Sequence, residues 1–327
     1  MDQASAGVMR GRPAFALDQR GGAPGEAGSP WSQPAVPSAG IHRQGSIGRD
    51  PSGRGAMTYA SIMVSLDLGA AAQARAQLAA DLAGRFEARL IGVAARQVPD
   101  PVTATDIAEA ERIYEAEKDR VLDEIGLARD VFERAAGGYA EASWRAALAP
   151  ALPYLALQAR AADLLVVGRH GAEDGDHGPL GVAPGPLLME AGRPVLVVPP
   201  GPTRLRADRA VVAWKDAPEA RRAVSAALPL LARASEVLVL GVEPEVEAKG
   251  LADVADFLVR HGVKASSRLI PESGIRPGEA LLANAAAFRA DLLVMGAYGH
   301  SRLREWLFGG ATRTILQTTT TCCLMSH

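Results

Sequence analysis

Cysteine is nearly missing from this chain of 327 residues, and the only two stand side by side as Cys322 and Cys323. Neighbouring residues of a strand point to opposite faces, so the pair could close a disulfide only under strain. Both read as reduced core or edge residues, not as a redox or metal site. An excess of one charge is missing as well. A formal net charge of −2 gives no field to draw the chain to nucleic acid or to a membrane surface. No apolar run approaches the roughly 20 residues of a membrane helix, and the amino-terminal stretch has no apolar core of signal-peptide length before a cleavage site. The expected location is cytoplasmic.

Catalytic signatures are scarce too. There is no Gly-x-Ser-x-Gly nucleophile elbow, and no lysine follows a glycine as in a Walker loop. The six histidines are scattered without metal-ligand spacing, so no metal site is expected. The acids a phosphoacceptor receiver needs past its first and third strands are not evident beside Asp67. The chain is therefore expected not to be an enzyme.

What the sequence does have is a repeated strand-and-glycine pattern. The run Ala290-Asp291-Leu292-Leu293-Val294-Met295 has strand length and ends in the spaced pair Gly296 and Gly299, followed by His300; a polar stretch then leads to Phe308-Gly309-Gly310-Ala311-Thr312-Arg313. Buried strand, turn and helix start in this order lay out a phosphate cradle, because glycines admit an anion to the backbone and a helix's first turn offers unpaired amides. Much the same strand and glycine pair stands earlier, as Ala162-Asp163-Leu164-Leu165-Val166-Val167-Gly168 and Gly171. A duplication is the simplest reading.

Residues 1–56 hold 11 glycines and 6 prolines without apolar periodicity, so a disordered tail is expected there. Met57 is the expected true start, since a strand opens directly after it. From Ser61 onward, strands and helices alternate, which argues parallel sheets with helices on both faces. The first unit reads as strands near 62–66, 88–95, 142–147, 163–168 and 194–198. Between the second and third, an amphipathic segment from about Thr105 to Ala135 is one helix or a pair broken at Gly126. Pro199-Pro200-Gly201-Pro202 is a stiff linker, and the same order begins again with strands near 210–214, 236–242, 264–270, 291–295 and 320–325. The expected division is thus 57–200 and 201–327, each long enough to bury a core of its own.

Five strands, this helix order and a Gly-x2-Gly-x9-Gly loop after strand four make the sequence resemble the universal stress protein family, as a tandem two-domain (UspA-like) member. Gly296, Gly299 and Gly309 have the family's spacing, Gly310 stands where ATP-binding members have a hydroxyl, and Thr312 falls where another often occurs. The phrases Ala213-Trp214-Lys215-Asp216, Glu219-Ala220-Arg221-Arg222-Ala223 and Leu324-Met325-Ser326-His327 also look like tandem members. The resemblance implies an α/β, Rossmann-like fold: two tandem open parallel five-stranded sheets, each of strand order 3-2-1-4-5, with a crevice at the chain reversal between strands one and four. It also implies that an acid after strand one contacts a nucleoside, that backbone of strand two (here Val242) helps hold the base, and that the loop takes phosphates.

The two copies depart from that pattern differently. The first keeps Asp67, but its loop runs through Gly168, Gly171, Glu173, Asp174 and Asp176 to Gly181, and three carboxylates would repel a triphosphate unless a cation intervenes. The second has the better loop, yet Lys215 stands where the acid would be, and a lysine cannot accept hydrogen bonds from a ribose; Asp216 next door could. The candidate site for ATP or another adenine nucleotide is therefore Lys215, Asp216, Val242, Gly296, Gly299, His300, Gly309, Gly310, Ala311 and Thr312. Asp67, Gly168, Gly171 and Gly181 form the weaker one, and magnesium is expected only with the nucleotide. Family members commonly associate through the last strand, so the two halves are expected to pair with each other, and the whole chain could form a homodimer. The competing reading is a scaffold whose pockets have lapsed.

Overall fold

The computed structural model describes residues 58–244, 246–271, 274–299 and 310–327. The expectations about the tail, Met57, His300 and Gly309 lie outside them. Among the described residues the first half runs β1 (Ser61–Ser65), α1 (Ala72–Phe86), β2 (Arg89–Ala95), α2 (Ile107–Ala136), β3 (Ala142–Ala147), α3 (Ala151–Gln158), β4 (Leu164–Gly168), α4 (Pro184–Glu190) and β5 (Val195–Val198). The second repeats it as β6 (Arg209–Ala213), α5 (Pro218–Leu231), β7 (Glu236–Val242), α6 (Ala248–Arg260), β8 (Ala265–Ile270), α7 (Pro277–Ala287), β9 (Leu292–Gly296), α8 (Ala311–Thr318) and β10 (Cys322–Ser326).

The two five-stranded sheets join into one, in the order β3-β2-β1-β4-β5-β10-β9-β6-β7-β8. Each half has the order 3-2-1-4-5. All neighbours are parallel except β5 and β10, which pair antiparallel with Leu196 opposite Leu324. Parallel strands flanked by helices on both faces are apolar throughout, and Val195 to Val198 and Cys322 to Ser326 are buried at every position. The core is divided by sheet face, not by half. One buried cluster includes Ile62, Leu164, Leu196, Leu324, Val294 and Val212; the other includes Met63, Leu165, Val197, Cys323, Leu293 and Val211. Cys322 and Cys323 fall in opposite clusters, and burial pushes the Cys322 thiol up to about 12, so both stay protonated.

The repeated Ala-Asp-Leu-Leu phrase has a structural cause at the amino ends of the strands. Asp163 Oδ2 accepts from the amides of Ala60 and Ser61 at 2.8 and 3.0 Å, and Asp291 accepts in the same way from Asp208 and Arg209 at 3.0 and 3.1 Å. Each carboxylate thus satisfies amides at the start of the neighbouring first strand. The break considered at Gly126 does not occur. α2 is one helix of 30 residues, capped by the Asp106 side chain on the Glu109 amide, while its counterpart α6 has 13. A mid-helix glycine costs about 1 kcal/mol, which burial of Val121, Ile125, Ala128 and Phe132 outweighs.

Candidate functional site: two crevices at one sheet

In each half the chain reverses beside its first strand, between β1 and β4 and between β6 and β9. The pairs are in register: Met63 is opposite Leu165, and Ala213 is opposite Met295. The segment after β1 and the loop after β4 therefore leave the sheet at the same end, as do the segment after β6 and the loop after β9. Parallel α/β sheets offer ligand crevices at these reversals. The two crevices are built from equivalent elements and filled differently.

The first crevice is occupied by the chain's own side chains. Asp67, 3% exposed, pairs with the guanidinium of Arg75 from α1 at 2.8 Å, and its other oxygen accepts from the Gly69 amide at 3.0 Å. Arg75 is itself only 1% exposed and donates through Nε to the Ser65 carbonyl at 3.2 Å. His177 Nδ1 approaches Asp67 Oδ2 at 3.3 Å, and the His177 ring stacks on His170 with centroids 3.7 Å apart and planes within 9°. Burial, then the neighbouring His177, pushes His170 down to about 4, so it is neutral at ordinary pH.

The glycines of this loop serve that packing. A Cβ at Gly168 would come within 2.6 Å of Arg75 Nη1, one at Gly181 within 2.7 Å of the His177 Cβ, and one at Gly171 within 2.4 Å of the Gln317 carbonyl in α8. Arg169 ties the loop down, pairing with Asp174 and donating to the Thr319 carbonyl at 2.6 Å. The Asp174 carboxyl is held below the usual carboxylate range, chiefly by its hydrogen bond from Arg169.

The second crevice has no such plug among its described residues. Asp216 is exposed and pairs with Arg221, also exposed, at 2.5 Å. Such a pair contributes between 0 and about 1 kcal/mol, whereas removing one partner of a buried pair like Asp67 and Arg75 costs about 3–5 kcal/mol. Drawing Asp216 away from Arg221 therefore costs less than drawing Asp67 away from Arg75. Gly296 and Gly299 pack on the first turn of α5: a Cβ at Gly296 would stand 2.6 Å from the Ala220 amide nitrogen, and one at Gly299 only 1.9 Å from Glu219 Oε1. Glu219, 8% exposed, thus sets a carboxylate against the glycine pair, a feature not anticipated from the Glu-Ala-Arg-Arg-Ala phrase.

Thr312 is buried, and its hydroxyl accepts from the Tyr298 amide at 3.3 Å, which braces a loop residue held at φ 57°. Gly310 caps α8 without a side-chain bond, and Ala311 opens the helix. Val242 ends β7, beside β6. The closing Ser326 and His327 lock the start of the loop, accepting from the Ala297 amide at 2.9 Å and meeting the Ala297 carbonyl at 3.1 Å. Lys215 follows Trp214 at the carboxyl end of β6 and is half-buried.

Sequence reasoning missed Arg75, His170, His177 and Glu219. The two histidines were separated by six residues of loop, and only the fold brings them onto Asp67.

Comparison with known proteins gives the following. Residues 58–199 match the model of the universal stress protein family. A universal stress protein from Archaeoglobus fulgidus is 14% identical, with 82% of this chain and 96% of that one covered at a TM-score of 0.63. A candidate universal stress protein from Pseudomonas aeruginosa is 18% identical, covering 82% of this chain and 93% of that one at a TM-score of 0.50. A universal stress protein solved in complex with cAMP is 23% identical and covers 37% of this chain and 96% of its own, at a TM-score of 0.32. Comparison with curated proteins gave no match.

Proposed function

We propose that this chain, of which residues 58–199 match the universal stress protein family model, is a non-enzymatic stress-response module that binds ATP or another adenine nucleotide in its second-half crevice. We treat it as two domains, 57–200 and 201–327, of which the second keeps the ligand function. The supporting observation is the contrast between the acids: Asp67 is buried against Arg75 and His177, while Asp216 is 74% exposed on its side chain and pairs with the exposed Arg221.

In this reading Asp216 receives the ribose hydroxyls, backbone at Val242 lies along the base, and the glycine pair with the amides opening α8 takes the phosphates. Lys215 adds positive charge at the same strand end. Magnesium enters only with the nucleotide. Glu219 opposes a bare polyphosphate, which favours a cation-complexed nucleotide or a less charged adenylate. Because β5 and β10 are already paired within the chain, one copy corresponds to a dimer joined through last strands, and a homodimer would have to use another surface.

Equilibrium dialysis of ATP against the full chain tests the proposal. Saturable binding that is lost in Gly299→Val, with the native fold retained by circular dichroism, supports it. Equal binding by Gly299→Val would mean that the loop has been misassigned. An interaction scaffold is the second reading, and one observation favours it: Val102 and Ile107, before and at the start of α2, are 88% and 87% exposed, and no buried residue of that helix precedes Val121. Absence of binding at millimolar nucleotide, with the fold intact, would favour that reading.

A further inference from the structure

The first crevice holds a cluster that the nucleotide reading does not use. One donor atom each from Asp67, His170 and His177 lies within 4.8 Å of the others. The Nε2 atoms of both histidines are buried and have no hydrogen-bond partner among the described residues. His177 Nδ1 lies 3.3 Å from Asp67 Oδ2, a separation that two ligands of one ion can have, so with its proton on Nε2 the His177 ring turns the Nδ1 lone pair to the side of the carboxylate. A buried polar atom with no partner requires an explanation, and two imidazole nitrogens beside a carboxylate are the donor set of a zinc-type ion.

We propose that Asp67, His170 and His177 form a binding site for one divalent transition-metal ion of zinc type. The site lies where an ancestral nucleotide pocket would be, and it uses the acid that such a pocket would have kept. Its electrostatics suit a dication. The loop carries Glu173, Asp174 and Asp176 against the single cation Arg169, and Asp67 faces Arg75, so carboxylates exceed guanidinium groups by two. The same excess disfavours a polyphosphate.

Three protein ligands leave a fourth position for water or a further donor. The stacked rings must swing apart to aim both lone pairs at one ion, closing the 4.8 Å spread toward the roughly 3.3 Å edge of a tetrahedron with bonds of about 2.0 Å. A loop between Gly168 and Gly181 is where that adjustment is made.

The test uses the full chain, free of any affinity tag and stripped with chelator, titrated with Co2+ as a visible probe and with Zn2+ by calorimetry. One high-affinity ion per chain is expected, with d–d absorption displaced by zinc. His170→Gln and His177→Gln should each weaken binding on the order of 100-fold, a loss at least as large as second-sphere changes produce. His261→Gln, a surface position, should leave it unchanged. Both crevice variants keep the Asp67–Arg75 pair, and thermal melting verifies their folds; should His177→Gln melt early, His170→Gln carries the test alone. No binding at a hundred micromolar ion, or binding indifferent to both crevice variants, would overturn the proposal, as would protection of the loop by inorganic phosphate in place of metal.

Discussion

Single residues decide what fills each crevice among the described residues. The glycines after β4 and β9 share one spacing, and from sequence alone each triplet suggests a cradle for an anion. In space Gly168 makes room for Arg75, Gly181 for His177 and Gly171 for the backbone of α8, while Gly299 faces Glu219. The spacing was legible because the turn demands it; the occupants were not, because Arg75 and His177 arrive from different elements. Glu219→Gln removes the carboxylate beside Gly299, and ATP affinity should rise roughly fivefold, the effect of about 1 kcal/mol between unit charges near 4 Å. Calorimetry of the two proteins side by side measures it, and an unchanged affinity would place the phosphates elsewhere.

Asp174 gives a prediction in pH. Its carboxyl is held below the usual range by the Arg169 hydrogen bond, so its folded pKa lies below its unfolded one. The contribution is present above the unfolded value, about 4, and is lost as pH falls through the folded one. Asp174→Asn should cost about 1.5–3 kcal/mol at pH 7 and much less at pH 3. Urea unfolding at both pH values would show the difference shrinking on acidification.

Among the elements, most of the fold was readable. The amphipathic segment from about Thr105 to Ala135 announces α2, and the alternation of apolar runs with helical segments places ten strands near their observed positions. The uncertainty at Gly126 arose because propensity is local, whereas the packing of α2 on α1 and β2 is not. A Cβ at Gly126 meets no atom within 4 Å. Gly126→Ala should therefore stabilise the chain by about 0.5–1 kcal/mol and raise the melting temperature, which differential scanning calorimetry can read. A fall in melting temperature would show that α2 bends there.

The joining of the two halves was expected at the last strands. What the sequence could not convey is that the two apolar clusters would each run through both halves, since that depends on the antiparallel register of Leu196 with Leu324. At this scale an isolated fragment 57–200 leaves β5, four buried apolar residues, as an open edge. Such an edge recruits another strand. Light scattering should find the fragment dimeric or larger; a monodisperse monomer would mean that β5 needs no partner.

For the molecule as a whole, duplication followed by divergence leaves one crevice closed over Asp67 and one with Asp216 at its rim. The number of nucleotides bound by a single chain tests this most directly. Calorimetric titration of the full chain with magnesium and ATP should give one site, abolished by Gly299→Val and retained in His177→Gln. Two sites per chain, or one that disappears with His177→Gln and survives Gly299→Val, would contradict it.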